Sequence, residues 1–292
     1  MTDTITMNAP AKVNLALSVG SLNDAGMHPI VSRMTTVGYG DDLEVKRLAE
    51  DGLSRYAILW HDEATRTSPI NWPMTSDLAV RAHRAMEAHA GRALPVQMKL
   101  EKRLPVGSGL GGGSSDAAAM LRAVNELFAL DLDSAALIDI ASGLGSDIPF
   151  LVCGGTAIIS GLGEVVEPLD DTDTHMVLVM PDYGCATGEV YDAFDELGGG
   201  MLDESHVRNG GVFNDLSAAA CEVASSLATD MAAISTIAED QVHLSGSGSA
   251  MFVLCDNAEH ASALAAAIEK ETQLSAVATA TTCNAKKKEV TQ

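Results

Sequence analysis

Residues 12–19, KVNLALSV, alternate without a break: Val13, Leu15, Leu17 and Val19 face one way, and Lys12, Asn14, Ala16 and Ser18 face the other. That period of two is the signature of a strand, so Lys12 and Asn14 leave it on the same side, one repeat apart. Further strands are expected at 31–38 and 43–47. SDLAVRAHRAMEAHA (76–90) reads as a helix, with Ser76 as its cap and Asp77 in its first turn. VQMKLEKRL (96–104) reads as a strand that Pro105 ends. Ala117, Leu121, Val124 and Phe128 fall at i, i+4, i+7 and i+11, one stripe of a helix from about 115 to 130. Ser134 is expected to cap another helix, which stops at Gly143 or Gly145.

In the second half, short strands are expected near 156–160 and 176–180, a break at 196–211, and helices from 214. LSGSGSAMFVL (244–254) runs from a glycine-serine loop straight into a strand. An alanine-rich helix (258–271) and a last strand follow, and the tail KKKEVTQ reads as a solvated end. Strands first, then mixed helices and strands without regular βαβ alternation, predict the α+β class.

Composition adds bounds. A chain of 292 residues suggests about two domains, and 47% hydrophobic with 20% charged residues is ordinary for a globular protein. No apolar run approaches the ~18 residues that span a bilayer, and no signal-like segment opens the chain. The five cysteines are far apart with no C-x-x-C pair, and the histidines show no metal spacing. This argues against a disulfide framework or a zinc site and for a reducing cytoplasm. A net charge of −22 repels polyanions, so nucleic acid and anionic membranes are excluded as partners. A small anionic ligand remains open to it, if backbone N–H groups, a helix N-terminus and a few cations hold that ligand.

The sequence contains such a device. LPVGSGLGGGSSDAAAM (104–120) places five glycines and three serines between 107 and 115, then turns at once into an apolar helix. Glycine costs about 0.5–1 kcal/mol relative to alanine wherever the backbone is fixed, so a run this dense needs a close backbone approach to explain it. Phosphate is the commonest such ligand, and a strand–loop–helix order aims N–H groups and a helix dipole at one spot. The loop lacks the lysine of a P-loop. Gly107, Gly109 and Gly112 spell G-x-G-x-x-G, but Pro105 interrupts the approach and the surroundings are not βαβ. The protein-kinase motifs are missing. A flexible linker is undercut by the helix that begins immediately after the serines.

LPVGSGLGGGSSDAA resembles the P-x-G-x-G-L-G-[SG]-[SG]-[SA]-A signature of the GHMP small-molecule kinases. APAKVNLAL (9–17), AGMH (25–28), SDLAVRA (76–82), GSDIPF (145–150), GGTAIISGLGE (154–164), FNDL (213–216) and LSGSGSAMF (244–252) agree with it in order, across nearly the whole chain. The triple glycine followed by S-S-[DN]-A-A resembles the branch that serves the non-mevalonate isoprenoid pathway. The resemblance implies an α+β, two-domain GHMP kinase fold. A ribosomal protein S5 domain 2-like, ATP-binding domain would occupy 1–165, and a ferredoxin-like, substrate-side domain 166–292. It implies ATP and Mg²⁺ as cofactors, a monomer or homodimer, and a small-molecule cytidine diphosphate substrate. The reaction implied is phosphorylation of the 2-hydroxyl of 4-diphosphocytidyl-2-C-methyl-D-erythritol.

The same resemblance assigns roles. Lys12 and Asp147 would be the catalytic pair: Asp147 takes or orients the hydroxyl proton, while Lys12 keeps that carboxylate ionised and stabilises the transition state. Taken alone, Lys12 reads as a surface lysine on a strand, and Asp147 as a cap or turn residue before Pro149. Pro105, Val106, Gly107, Ser108, Gly109, Leu110, Gly111, Gly112, Gly113, Ser114 and Ser115 would hold the triphosphate. The two last serines would offer hydroxyls to phosphate or Mg²⁺, or would simply cap the helix. Lys102 and Asp77 match positions flanking the adenine pocket; Asp77 stands where the family more often has asparagine, so it lacks the amide donor and adds negative charge.

On the acceptor side, His28 matches a residue that recognises the cytosine, and Tyr191 an aromatic wall of that pocket. Asn14 would orient the methylerythritol hydroxyls. Gly246 and Gly248 would admit the substrate diphosphate, or else form a tight turn between helix and strand. Met27 replaces the tyrosine common in the family; it can pack against a ring but offers no aromatic face. Outside the family context, His28 reads as a loop histidine before Pro29. Two other functions stay open: a GHMP kinase for a homoserine- or mevalonate-like alcohol, and a non-catalytic ATP-binding sensor. The His28–Tyr191 pair argues against the first, since those alcohols have no base; retention of both Lys12 and Asp147 argues against the second.

Overall fold

The structure, a computed structural model, describes residues 3–283; the basic tail lies outside them. Packing divides the chain into two units that the backbone enters more than once. The first comprises the chain through Ala11, Gly40–Val106 and Gly111–Cys153; the second comprises Lys12–Tyr39, Gly107–Leu110 and everything from Gly154.

Two long strands, β1 (Thr4–Val19) and β2 (Ile30–Arg47), belong in part to each unit. The first unit adds β3 (Arg55–Trp60), α1 (Leu78–Ala90), β4 (Val96–Lys102), α2 (Gly112–Leu127), α3 (Ser134–Ser142) and α4 (Ile148–Cys153). Its sheet runs β3-β4-β2-β1. β3 pairs parallel with β4, and β4 pairs antiparallel with β2, Asp42 facing Glu101. α1 packs on α2, and the predicted stripe of Ala117, Leu121, Val124 and Phe128 is buried.

The second unit contributes β5 (Thr156–Gly161), β6 (Val165–Pro168), β7 (His175–Met180), α5 (Thr187–Glu196), α6 (Glu204–Arg208) and β8 (Phe213–Asn214). It continues with α7 (Ser217–Val223), α8 (Ser225–Ala238), β9 (His243–Leu244), β10 (Met251–Cys255), α9 (Ala258–Thr272) and β11 (Ser275–Ala280). β5 pairs with the first half of β2, and β8 lies parallel to the end of β1. β11-β7-β10-β9 form a separate antiparallel sheet.

The alternation of β1 has an outcome that its pattern did not reveal. Leu17 and Val19 enter a core with Val177, Val179, Phe194 and Leu244, while Ala16 enters another with Val31, Ile158 and Val207. Both faces are therefore covered, and Lys12, only 4% exposed, is not a surface lysine.

Several expected boundaries move. The strands expected at 31–38 and 43–47 are one strand, because Gly40 marks a close approach rather than a break: a Cβ there would collide with the Ala9 carbonyl. The cap of α1 is Asp77, not Ser76; its Oδ1 accepts from the N–H groups of Ala79 (3.0 Å) and Val80 (3.2 Å). Asp133, not Ser134, caps α3 in the same way. α2 starts among the glycines, with Gly111 in the left-handed region at φ 71°, so Ser114 and Ser115 lie inside the helix and do not cap it. The break at 196–211 contains α6, and the second glycine-serine loop turns between two strands, not between helix and strand.

Candidate active site

In the second unit, the constellation around Lys12 is made by β1 and three segments that meet it. Lys12 Nζ donates to Asn14 Oδ1 at 2.6 Å, and Asn14 Nδ2 donates to Ser32 Oγ at 2.8 Å. The Lys12 backbone N–H donates to the Leu110 carbonyl at 2.9 Å, which ties β1 to the first glycine segment. Ser245 Oγ accepts from the Asn14 backbone N–H (3.3 Å) and donates to the Gly109 carbonyl (3.1 Å). A Cβ on Gly109 would collide with the Ser245 carbonyl, and the φ of +80° there is itself unfavourable to other residues. Ser108 is buried, and its carbonyl accepts from the Ala250 N–H at 2.9 Å. Gly107 differs: it is exposed, and nothing lies within 4 Å of where its Cβ would be.

The second loop closes on the same lysine. Gly246 adopts φ +59°, and a Cβ on it would lie 3.2 Å from Lys12 Nζ and 3.5 Å from Asn14 Oδ1. Asn214, in the FNDL segment, fixes this loop by donating from Nδ2 to the carbonyls of Leu244 (2.9 Å) and Gly246 (2.8 Å). Gly248, at φ +87°, packs near Leu244 and Cys185. Asn14, expected to orient substrate hydroxyls, thus spends its side chain on Lys12 and Ser32.

His28 and Tyr191 are brought together in this unit, with ring centroids 5.0 Å apart at 34°. Phe194, one turn further along α5, meets His28 edge-on at 6.0 Å. His28 Nδ1 lies 2.8 Å from the Gly20 carbonyl; since a carbonyl only accepts, Nδ1 carries the hydrogen. Nε2 then faces Asp195, 3.4 Å away. Met27 is 46% exposed beside this histidine in sequence.

In the first unit, the notable feature is a buried group that the motifs only half announced. Lys102 Nζ bridges Asp41 Oδ2 (2.5 Å) and Asp116 Oδ2 (2.6 Å), and all three residues are buried. Asp41 Oδ1 also accepts from the backbone N–H groups of Arg103 (2.5 Å) and Leu104 (2.7 Å). The cluster therefore fixes the end of β4 and, through Asp116, the first turns of α2. Burial pushes the Asp116 carboxyl well above the usual carboxylate range; Lys102 opposes that, and the like charge of Asp41 adds to it. Burial alone would lower Lys102, but the two carboxylates outweigh it and hold its ammonium above the ordinary lysine range. Lys102, expected beside adenine, has its charge committed to these partners. Asp77, expected there too, caps α1 with one oxygen and accepts from Trp72 Nε1 (3.2 Å) with the other.

The N-terminus of α2 suits an anion. It has no side-chain cap and no acidic residue in its first turn, so the N–H groups that open the helix stay available. Ser115 Oγ and Asp116 Oδ1 are buried without a hydrogen-bond partner. Gly113 is exposed, Gly111, Gly112 and Ser114 are half-buried, Pro105 is buried, and Val106 is exposed. Asp147 is half-buried in the turn that opens α4, its carbonyl accepting from the Leu151 N–H at 3.2 Å. Among the described residues, no cluster of histidine, cysteine and carboxylate side chains could by itself hold a metal ion. Also among them, no helix is long and apolar enough to cross a membrane.

Ser32, Ser245 and Asp41 were not singled out from the sequence. A lone serine on a predicted strand, one serine among several in a loop and a carboxylate between two predicted strands carry no spacing signal. Asp116 did lie inside the glycine signature, at its [DN] position.

Comparison with known proteins shows the family and the fold. Residues 77–155 match the model of the GHMP kinases N terminal domain. A 4-diphosphocytidyl-2-C-methyl-D-erythritol kinase from Nocardioides sp. is 34% identical over 276 residues, covering 89% of this chain and 91% of its own. One from Deinococcus radiodurans is 37% identical over 272 residues, covering 89% and 87%. The crystal structure of a 4-(cytidine 5'-diphospho)-2C-methyl-D-erythritol kinase superposes with a TM-score of 0.77 at 30% identity, covering 95% of this chain and 99% of its own. The homoserine kinase of Cytophaga hutchinsonii, 17% identical with a TM-score of 0.68 over 97% and 96% of the chains, shares the fold. The chain belongs to the GHMP kinases and, within them, to the 4-diphosphocytidyl-2-C-methyl-D-erythritol kinase family. Its fold is the two-domain, α+β fold of that superfamily.

Proposed function

We propose that this protein transfers the γ-phosphoryl group of ATP to the 2-hydroxyl of 4-diphosphocytidyl-2-C-methyl-D-erythritol. The observation that carries the reading is the buried Lys12 ammonium, held by Asn14 Oδ1 on a strand whose backbone is tied to the glycine segment at Leu110. A lysine this enclosed has no solubility role, and kinase chemistry needs a fixed positive charge where negative charge develops. Relatives bearing this activity in their names cover 89% of the chain.

In this reading Lys12 stabilises the charge of the transferring group, and Asp147 takes or orients the hydroxyl proton. Pro105–Ser115 hold the triphosphate through backbone N–H groups, those opening α2 above all. When bound, ATP supplies the phosphoryl group and Mg²⁺ screens its charge; phosphate oxygens supply most magnesium ligands, so no all-protein cage is required. Ser115, whose buried hydroxyl lacks a partner, and Ser114 are the residues we assign to Mg²⁺ or phosphate. Lys102 and Asp77 support the nucleotide site through the backbone they fix. His28 and Tyr191 receive the cytosine, and Gly246 and Gly248 face the diphosphate. We assign 1–165 to the ATP-binding domain and 166–292 to the substrate-side domain, acting in the cytoplasm as a monomer or homodimer. The five free cysteines suit a reducing compartment.

A coupled assay of the purified protein tests the proposal. With ATP and Mg²⁺, kcat/KM for the cytidine diphosphate acceptor is expected to exceed that for homoserine or mevalonate by several orders of magnitude. Comparable values for all three would overturn it, and ATP binding without turnover of any acceptor would favour a sensor.

A further inference from the structure

The hydrogen bonds around Asn14 run in one direction. Ser32 Oγ–H donates to the Ala16 carbonyl at 2.7 Å. Its proton being spent there, the hydroxyl faces Asn14 as an acceptor, and Asn14 Nδ2 donates to it at 2.8 Å. That decides which end of the Asn14 carboxamide is nitrogen. Oδ1 is left to accept from Lys12 Nζ at 2.6 Å. Lys12, Asn14 and Ser32 are all buried, Ser32 completely, so water is a poor substitute partner for any of them. A reversed carboxamide would set an NH₂ group against an ammonium and would require Ser32 to abandon Ala16. On its other side the ammonium meets the backbone of Gly246, where even a methyl group would stand 3.2 Å away.

We propose that Ser32 is a positioning residue for phosphoryl transfer: by fixing the orientation of the Asn14 carboxamide it sets the position of the Lys12 ammonium. The proposal rests on the reading of Lys12 as catalytic. Ser32 touches neither the nucleotide nor the acceptor in this scheme, and its influence passes through two side chains. A serine is demanded on chemical grounds. Alanine would strand Nδ2 without an acceptor, and a bulkier hydroxyl residue would need room in a fully enclosed position.

The test is Ser32→Ala, with Thr35→Val as a matched control. Thr35 is another buried hydroxyl on β2, pairing with Thr156 Oγ1 at 3.0 Å and remote in role from Lys12. Ser32→Ala is expected to lower kcat about tenfold or more while the dissociation constants for ATP and acceptor, read by calorimetry, move less than about twofold. Thr35→Val is expected to lower the melting temperature comparably and leave kcat unchanged. Unchanged kcat in Ser32→Ala overturns the proposal, as does an equal loss of kcat in Thr35→Val. Should Ser32→Ala fail to fold, Ser32→Cys, similar in shape with a weaker acceptor, is expected to give an intermediate kcat; full activity there overturns the idea.

A second readout needs no turnover. In nitrogen-15 NMR the Asn14 carboxamide protons should exchange slowly in the wild-type protein and rapidly in Ser32→Ala or Ser32→Cys. Rapid exchange in the wild type would sink the proposal by itself. Slow exchange in a wild type that turns over no acceptor would instead defeat the kinase reading and leave the Ser32–Asn14–Lys12 arrangement intact.

Discussion

Lys102 Nζ stands 2.6 Å from Asp116 Oδ2 where neither side chain reaches water, and the same ammonium carries a second carboxylate, Asp41. Removing the cation leaves the buried carboxyl groups of Asp41 and Asp116 with no counter-charge and no donor in the place of Lys102 Nζ, which is the costly way to break such a group. Lys102→Met is expected to destabilise the protein by about 3–5 kcal/mol, whereas Asp116→Asn, which keeps an oxygen for Lys102, should stay within about 1 kcal/mol of wild type. Urea unfolding of both variants checks this; equal losses would mean that the cluster's charge balance is immaterial.

The same group predicts a slope of stability with pH. Burial, and then the charge of Asp41, raise the Asp116 pKa in the folded state despite Lys102. The folded protein therefore keeps a proton that the unfolded chain releases near the ordinary carboxylate pKa of about 4, so this contribution to stability falls as pH rises from there towards the raised value. Asp116→Asn should remove that part of the slope. Melting temperatures of the two proteins, measured across that range, are expected to diverge in favour of the variant as pH rises; parallel curves would contradict the assignment.

Asp147→Asn retains shape and loses basicity. A kcat loss of about 10²–10⁴-fold is expected, with substrate dissociation constants little changed. Lys12→Met should also reduce kcat, and the double variant should lose less than the sum of the two, because in the proposed mechanism both residues act on one developing charge. Near-normal kcat in Asp147→Asn would put the base elsewhere.

The two glycine segments should respond differently by position. Gly107→Ala meets open space and carries only the cost of a left-handed backbone, about 1–2 kcal/mol. Gly109→Ala would drive a methyl group into the Ser245 carbonyl and should weaken ATP binding much more strongly. Gly246→Ala should act on kcat instead, since its methyl group would press on the Lys12 ammonium. Calorimetry with ATP and steady-state kinetics separate these effects. Equal ATP affinity in the Gly107 and Gly109 variants would show that the close approach does not matter.

For the acceptor, Met27→Tyr should restore an aromatic face beside His28. Stacking on a base of about 0.5–1.5 kcal/mol predicts a KM for the cytidine substrate lowered by up to about tenfold, with the KM for ATP unaffected. A KM unchanged or raised would mean that the exposed Met27 position does not reach the base.

Much of this was legible in the chain. The period-two run of 12–19 and the stripe at 117, 121, 124 and 128 were reliable because each is a repeated apolar signal tied to burial. Helix starts were less so. Ser76 and Ser134 each adjoin an aspartate, and nothing in the local sequence says which of two good caps the backbone will choose. The burial of the polar face of β1 was invisible for a different reason: Lys12 and Asn14 are covered by segments more than 200 residues away, such as Ser245. The Asp41–Lys102–Asp116 cluster likewise joins three positions that share no local pattern.

The interleaving of the two packing units has a consequence for synthesis. Leu17 pairs with Asn214, and Leu17 and Val19 pack against Val179, Leu244 and Met251. The strand that bears Lys12 emerges first from the ribosome; β2 follows at once on one edge, but the other edge waits for β8 at Phe213–Asn214. Such long-range pairing folds slowly and leaves a strand edge open to wrong partners in the meantime. A nascent chain that has not reached Gly246 lacks the loop that closes on its own Lys12, so a lesion near residue 246 would disturb the setting of the twelfth residue.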